Sequence, residues 1–251
     1  MLKVPTMEKL TDMRLHGMAV ALKEQCSSSS YDELSFQERL GMLVDREMTE
    51  RENRRLKGRL TKARLRQQAS MEDIDYRHPR GLDRSIMRSL STCSWVRDHL
   101  NVLVTGPTGA GKSFIACAIG HKVCLEGYKV LYFRTSRLFQ DLAIAKGDGR
   151  YPKLINTIAK TNVLIVDDWG LIKLDDRQQI DFLDILEDRY NIHSTIIASQ
   201  YPHPHWHELM ANPTLSDAIL DRFIHNAHKI TLKGESMRKK ISELTKQKEN
   251  G

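Results

Sequence analysis

Aromatic residues make up only 6% of this 251-residue chain, which argues against an aromatic-rich β-sandwich and leaves few rings to stack on nucleic-acid bases. No uncharged apolar run reaches the roughly 18 residues needed to cross a bilayer. The opening MLKVPTMEKL also lacks the apolar core of a secretory signal. These absences predict a cytosolic protein with no membrane span. Cysteine is scarce too: Cys26, Cys93, Cys117 and Cys124 form no C-x-x-C, so neither a disulfide framework nor a cysteine zinc site is encoded. Cys117 and Cys124 read as small apolar core groups. Acid is the minority charge, with 32 Asp and Glu against 39 Lys and Arg, a net of +7.

The location of that surplus matters more than its size. The stretch RENRRLKGRLTKARLR, residues 51–66, holds eight basic residues and one acid, so its local net of +7 equals that of the whole chain. Upstream, Phe36, Leu40, Leu43, Val44 and Met48 recur at helical spacing, which predicts an amphipathic helix running on into the basic stretch. Met7 to Leu22 has similar periodicity, and Ser27 to Ser30 reads as a loop. Residues 1–70 therefore read as a small helical, basic module.

Pro79 and Gly81 break the chain after MEDIDYRHPRG, within a linker and entry helix at 71–100. From there the apolar runs NVLVT (101–105), KVLYF (129–133), NVLIVDD (162–168), STIIAS (194–199) and HKITL (228–232) alternate with helical patterns. The 133–163 gap has room for two helices. Strands alternating with helices imply an α/β domain over 71–251, built on a five-stranded parallel sheet with helices on both faces.

NVLVT runs directly into Gly106-Pro107-Thr108-Gly109-Ala110-Gly111-Lys112-Ser113, the G-x-x-x-x-G-K-[ST] phosphate loop in its strand, loop, helix context. Its glycines let backbone N–H groups point at phosphate oxygens at a helix N-terminus. Lys112 would reach the β- and γ-phosphates of ATP, and Ser113 would ligate Mg²⁺. About 50 residues later four aliphatics end in Asp167-Asp168. Asp167 would hold the metal, and Asp168 would orient the attacking water. An Asp in place of the more usual Glu is one methylene shorter, which predicts slow hydrolysis. Ser199-Gln200, at the end of the fourth strand, puts a polar side chain beside the loop, either a γ-phosphate sensor or an ordinary strand end. Arg222, just before the last strand, has the charge and planar fork to serve a neighbouring subunit's γ-phosphate.

With these residues assembled, the chain resembles the AAA+ ATPases of the DnaC/IstB group, and most closely the IstB-type transposition helpers. The likeness is carried by RENRRL, IDYR-x-PRGLDR, GPTGAGKS, VLIVDDWG and DR-x-x-HNAH. The resemblance implies an ATP-driven, DNA-stimulated ATPase that oligomerises on duplex DNA as a ring or helical filament and assists a transposase. It implies that Ser199 is sensor 1, Arg222 the arginine finger and Arg238 sensor 2, with a stunted lid over 233–251.

Projected at 100° per residue, Arg51, Arg54, Arg55, Arg59, Lys62 and Arg66 fall within an arc of about 140°. That face would lie along duplex phosphates with little sequence preference, and neutralising six of them gives a log K against log salt slope of roughly −5. The alternative is a solvated helix whose arginines pair with acids. The loop Lys146–Arg150 is a second basic candidate or an ordinary turn. The histidines of Pro202–His207 read as an interface loop rather than a zinc site, because two prolines interrupt the strand they would need. Two rival functions share the phosphate loop: a replicative helicase loader and a small-molecule kinase.

Overall fold

The computed structural model describes residues 3–234. The chain divides into two compact units, Met1–Gly58 and Arg59–Gly251.

The first unit holds α1 (Lys3–Asp12), α2 (His16–Ser27), a 3-10 turn at Ser29–Tyr31, and most of α3 (Phe36–Ala63). The periodicity from Met7 to Leu22 is thus two helices, broken where Arg14 takes a left-handed φ of 57°. The N-terminus of α2 lacks a side-chain cap of its own. Buried Glu47 of α3 supplies one, accepting the N–H groups of Gly17 at 2.7 Å and Met18 at 3.3 Å. A Cβ on Gly17 would sit 2.7 Å from the Glu47 Cα, so only glycine permits that approach. The start of α3 is closed by a reciprocal cap, with Ser35 N–H on Glu38 Oε2 at 2.8 Å and Glu38 N–H on Ser35 Oγ at 3.3 Å. The expected apolar face of α3 is not a buried one. Leu43 is buried, but Phe36, Leu40, Val44 and Met48 are exposed, Phe36 at 77%.

The second unit contains α4 (Arg84–Ser91), α5 (Ser94–Arg97), β1 (Asn101–Thr105), α6 (Lys112–Leu125) and β2 (Val130–Arg134). There follow α7 (Thr135–Gly147), α8 (Tyr151–Ala159), β3 (Val163–Trp169), α9 (Asp176–Arg189) and β4 (Ser194–Ser199). A 3-10 turn at His203–Leu209, α10 (Pro213–Ile224) and β5 (Ala227–Thr231) complete it. The five strands are all parallel, in the order β2-β3-β4-β1-β5. Every apolar run became a strand to within a residue at each end, and α7 and α8 fill the long gap. β1 and β4 are buried throughout, as a sheet covered on both faces requires. One core cluster is threaded by aromatic rings: Trp169 lies 4.5 Å from Phe182 and 5.5 Å from Trp206, which stacks on Phe223 at 6.1 Å.

The division at Gly58 falls ahead of residue 70, where the sequence pattern changes. The physical reason is packing: Ala63 is buried, and Leu65 Cδ2 would lie 3.2 Å from a Cβ on Gly120 of α6. Cys93, Cys117 and Cys124 are buried, and burial pushes the Cys93 and Cys124 thiols up to about 11. The expected lid beyond Gly234 lies outside the described residues. No described helix is long and apolar enough to cross a membrane.

Candidate functional site

The strand order places the site. β4 lies between β1 and β3, so the loop after β1 and the carboxylates at the end of β3 face each other across the end of β4, about 10 Å apart at strand spacing. This is the carboxyl edge of a parallel sheet, where α/β folds bind ligands.

The phosphate loop is shaped by its glycines. Gly106, Gly109 and Gly111 have φ of 147°, 82° and 96°, the left-handed region that disfavours any side chain. Gly111 ends the loop as the N-cap of α6 without a side-chain cap hydrogen bond, so the first N–H groups of the helix are presented for an anion. Lys112 is buried, and its Nζ donates to the carbonyls of Gly106 at 2.8 Å and Pro107 at 2.9 Å, folding the ammonium back over the loop. Pro107, Thr108 and Ala110 complete the turn, and Ser113 lies on the first turn of α6.

A residue without an assigned role in the sequence supports this loop from below. Arg80 is 3% exposed, and its guanidinium donates to the Ala110 carbonyl at 3.2 Å and the Asp75 carbonyl at 3.1 Å. A Cβ on Gly111 would meet Arg80 Nη1 at 2.6 Å. Burial pushes the Arg80 guanidinium below its ordinary pKa, with Asp75 and Tyr76 opposing. The only signal in the sequence was its place in the IDYR-x-PRGLDR segment.

Asp167 and Asp168 sit on a β-bulge. From Val166 to Trp169 β3 takes three steps while β4 takes two, from Ile197 to Ser199, and Asp168 adopts φ 60°. A bulge re-aims the side chains beside it. Buried Asp167 accepts the Tyr132 hydroxyl at 2.6 Å and the Asp168 N–H at 2.8 Å. Burial, then the bond and charge of Asp167, raise the Tyr132 phenol far above its ordinary pKa, so it stays a donor. Asp168 Oδ2 is held by Arg134 Nε at 2.9 Å and Arg66 Nη1 at 3.4 Å, and that same Arg66 nitrogen lies 3.7 Å from Asp167 Oδ2. Burial acts to lower the Arg66 pKa, but Tyr132, Asp168 and Asp167 together raise it. Tyr132, Arg134 and Arg66 carried no role at this site in the sequence reading.

Between the two halves, Ser199 is fully buried, its hydroxyl donating to the Trp169 carbonyl at 2.9 Å and accepting the Tyr201 N–H at 3.1 Å. Ser199 thus braces the bulge, and Gln200 is the side chain that touches the phosphate loop: its Oε1 accepts the Thr108 hydroxyl at 2.7 Å. Arg222, on α10, pairs with Glu187 at 2.6 Å and donates to the Ala218 carbonyl at 3.2 Å. Arg238 lies outside the described residues.

The basic face predicted over 51–66 needs correction. α3 ends at Ala63, and Arg64 turns left-handed with φ 53°, so the helical projection does not extend to Arg66, which points at the aspartates. Arg59 Nε donates to the Cys124 carbonyl at 2.8 Å. Arg51 pairs with Glu47 at 2.6 Å, and Arg54 stands 4.0 Å from Glu50. Arg55 and Lys62 are exposed, and among the described residues neither forms an ion pair. Of the predicted residues, Arg51, Arg54 and Arg55 lie on the part of α3 in the first unit and Lys62 on the part in the second. In the histidine run, His205 lies 3.6 Å from Glu208 and His207 3.5 Å from Asp217, and among the described residues no cluster of three or more His, Cys, Asp or Glu is placed to hold a metal.

The donor set fits a nucleoside triphosphate with a divalent cation. Outward N–H groups and one ammonium line the loop, an aliphatic hydroxyl sits at Ser113, and two carboxylates face them from the bulge.

Comparisons with known proteins agree with this chemistry. The profile of IstB-like ATP binding proteins matches residues 8–245. The insertion sequence ATP-binding protein y4pL of Sinorhizobium fredii is 51% identical over 239 residues, covering 95% of this chain and 98% of the relative. The ATP-binding protein of insertion sequence IS21 from Pseudomonas aeruginosa is 30% identical, covering 92% and 87%. Among solved structures, replication initiator DnaA bound to AMPPCP and single-stranded DNA superposes with a TM-score of 0.55 at 18% identity. That match covers 73% of this chain but only 56% of the DnaA chain. The DnaC helicase loader gives 0.53 at 21% identity, covering 66% and 97%. These likenesses show the fold, a P-loop AAA+ core.

Proposed function

Because the chain belongs to the family of IstB-like ATP-binding proteins, we propose that it is an ATP-hydrolysing helper of DNA transposition that assembles on duplex DNA and engages a transposase. The observation that carries the reading is the phosphate loop facing Asp167-Asp168, in a chain aligned nearly end to end with insertion sequence proteins.

The loop N–H groups and Lys112 hold the triphosphate. Ser113 and Asp167 would hold Mg²⁺, which when bound neutralises charge developing on the phosphates. Asp168 orients the water, Gln200 reads the γ-phosphate through Thr108, and Arg222 from a neighbouring copy completes the pocket, so that ATP binding and assembly are linked. Asp168 Oδ2 is engaged by both Arg134 and Arg66 rather than open to a water, which supports slow basal turnover until a partner rearranges those contacts. Arg51, Arg54 and Arg55 of the first unit and Lys62 of the second each supply phosphate contacts.

The test measures ATP hydrolysis and duplex DNA retention by the full chain with ATP, AMPPCP or ADP. Hydrolysis that rises with long duplex DNA, together with nucleotide-dependent assembly, supports the proposal. Indifference to DNA in every nucleotide state at low salt defeats it. Co-purification with a hexameric helicase would instead favour a loader, and phosphate transfer to a small acceptor would favour a kinase.

A further inference from the structure

One nitrogen, Arg66 Nη1, bridges the carboxylate pair, 3.4 Å from Asp168 and 3.7 Å from Asp167. Among the described residues, it is the side chain with ion-pair contacts to both. Arg134 reaches Asp168 alone, and Tyr132 reaches Asp167 alone. Arg66 thereby stands beside Asp167, the carboxylate that would hold the cation. We propose that Arg66 and the divalent cation are alternative occupants of the Asp167-Asp168 pair, so that metal loading requires the Arg66 guanidinium to leave. This rests on the reading of Asp167 as the metal carboxylate.

The charge balance supports competition. Two carboxylates and two guanidinium groups already sum to zero, so a dication added beside Arg66 meets like-charge repulsion at contact distance. The backbone permits departure without refolding. Arg66 lies beyond the end of α3, past the left-handed turn at Arg64, and its side chain is 37% exposed. The segment is pinned on both sides of it: Arg59 donates to the Cys124 carbonyl, and Ala63 and Ala69 are buried. A side-chain rotation therefore suffices. The rotated guanidinium, three residues past the basic helix, becomes available to another anion.

The experiment titrates Mn²⁺ into the full chain saturated with AMPPCP and follows the bound ion by electron paramagnetic resonance. Arg66→Ala and Arg66→Gln should each bind Mn²⁺ about tenfold more tightly than the wild type, in the range of ordinary coupling between two ligands, and the gap should narrow with added salt. Arg66→Gln retains a polar side chain and carries the test if the alanine variant unfolds. AMPPCP affinity in EDTA and the unfolding midpoint report that each variant is intact. Equal or weaker Mn²⁺ binding by an intact variant overturns the proposal. If the wild type shows no nucleotide-dependent Mn²⁺ site that Asp167→Asn removes, the metal reading itself fails, which is a separate outcome.

Discussion

At Gly106 the backbone takes φ 147°, and a Cβ there would lie 2.6 Å from the Leu232 carbonyl oxygen. Gly106→Ala therefore strains the loop on two counts. It should lower stability by about 1–3 kcal/mol in denaturant unfolding and abolish ATP binding by the folded fraction. Gln200→Ala should leave nucleotide affinity near the wild-type value while hydrolysis falls at least about tenfold; an unchanged rate would remove Gln200 from the γ-phosphate site. At this scale the sequence was legible where chemistry is contiguous. The loop residues Gly106 to Ser113 and the Asp167-Asp168 pair each form one unbroken motif on a strand end. Arg80, Tyr132, Arg134 and Arg66 were not legible, because each reaches its partner across 30 to 102 positions, and no local pattern encodes such an approach. Ser199 and Gln200 were legible as a pair, but which one faces the loop depended on the bulge in β3.

A buried cation joins the elements alongside apolar packing. Arg189, at the end of α9, is 1% exposed and donates to the carbonyls of Ile158, Thr161 and Ser194 and to Thr195 Oγ1, tying α8, α9 and β4 together. No described acid pairs with it, and burial pushes it down to about 9. Arg189→Met keeps much of the volume and strands the buried acceptors, so unfolding should cost roughly 3 kcal/mol less, measured by denaturant titration. Nearby, burial, then the charges of Arg189 and His99, hold His193 below its ordinary value of 6.5. The folded chain then takes up that proton less readily than the unfolded chain. Its stabilising contribution is present above that value and is lost as the pH falls below it. The unfolding midpoint should drop between about pH 7 and 5, and His193→Gln should flatten that drop. Strand positions followed from apolar runs bounded by turn residues. The break at Arg14 did not, because apolar spacing continues across it.

For the whole molecule, charge is the observable. With four rather than six phosphate contacts on α3, the salt slope for duplex DNA should be roughly −4, and replacing Arg55 and Lys62 by Ala together should reduce it by about 2. A slope unchanged in that variant would move the DNA surface elsewhere. Arg222→Ala should abolish hydrolysis while leaving most ATP binding, and mixing it with Lys112→Ala should restore some turnover if neighbouring copies share pockets. Full activity of Arg222→Ala alone would show that each chain closes its own site. The sequence pattern changes near residue 70, whereas the compact units divide at Gly58; that position was not legible, because α3 continues unbroken through it and only packing on α6 marks where the second unit begins.

Trp169 follows Asp168 directly in the bulge, with its ring against Phe182 and Trp206. The chain thereby carries its own optical reporter beside the carboxylates. Any shift of their backbone alters indole-to-indole geometry, so rapid-mixing fluorescence can time events at the pocket in unlabelled protein, turnover by turnover.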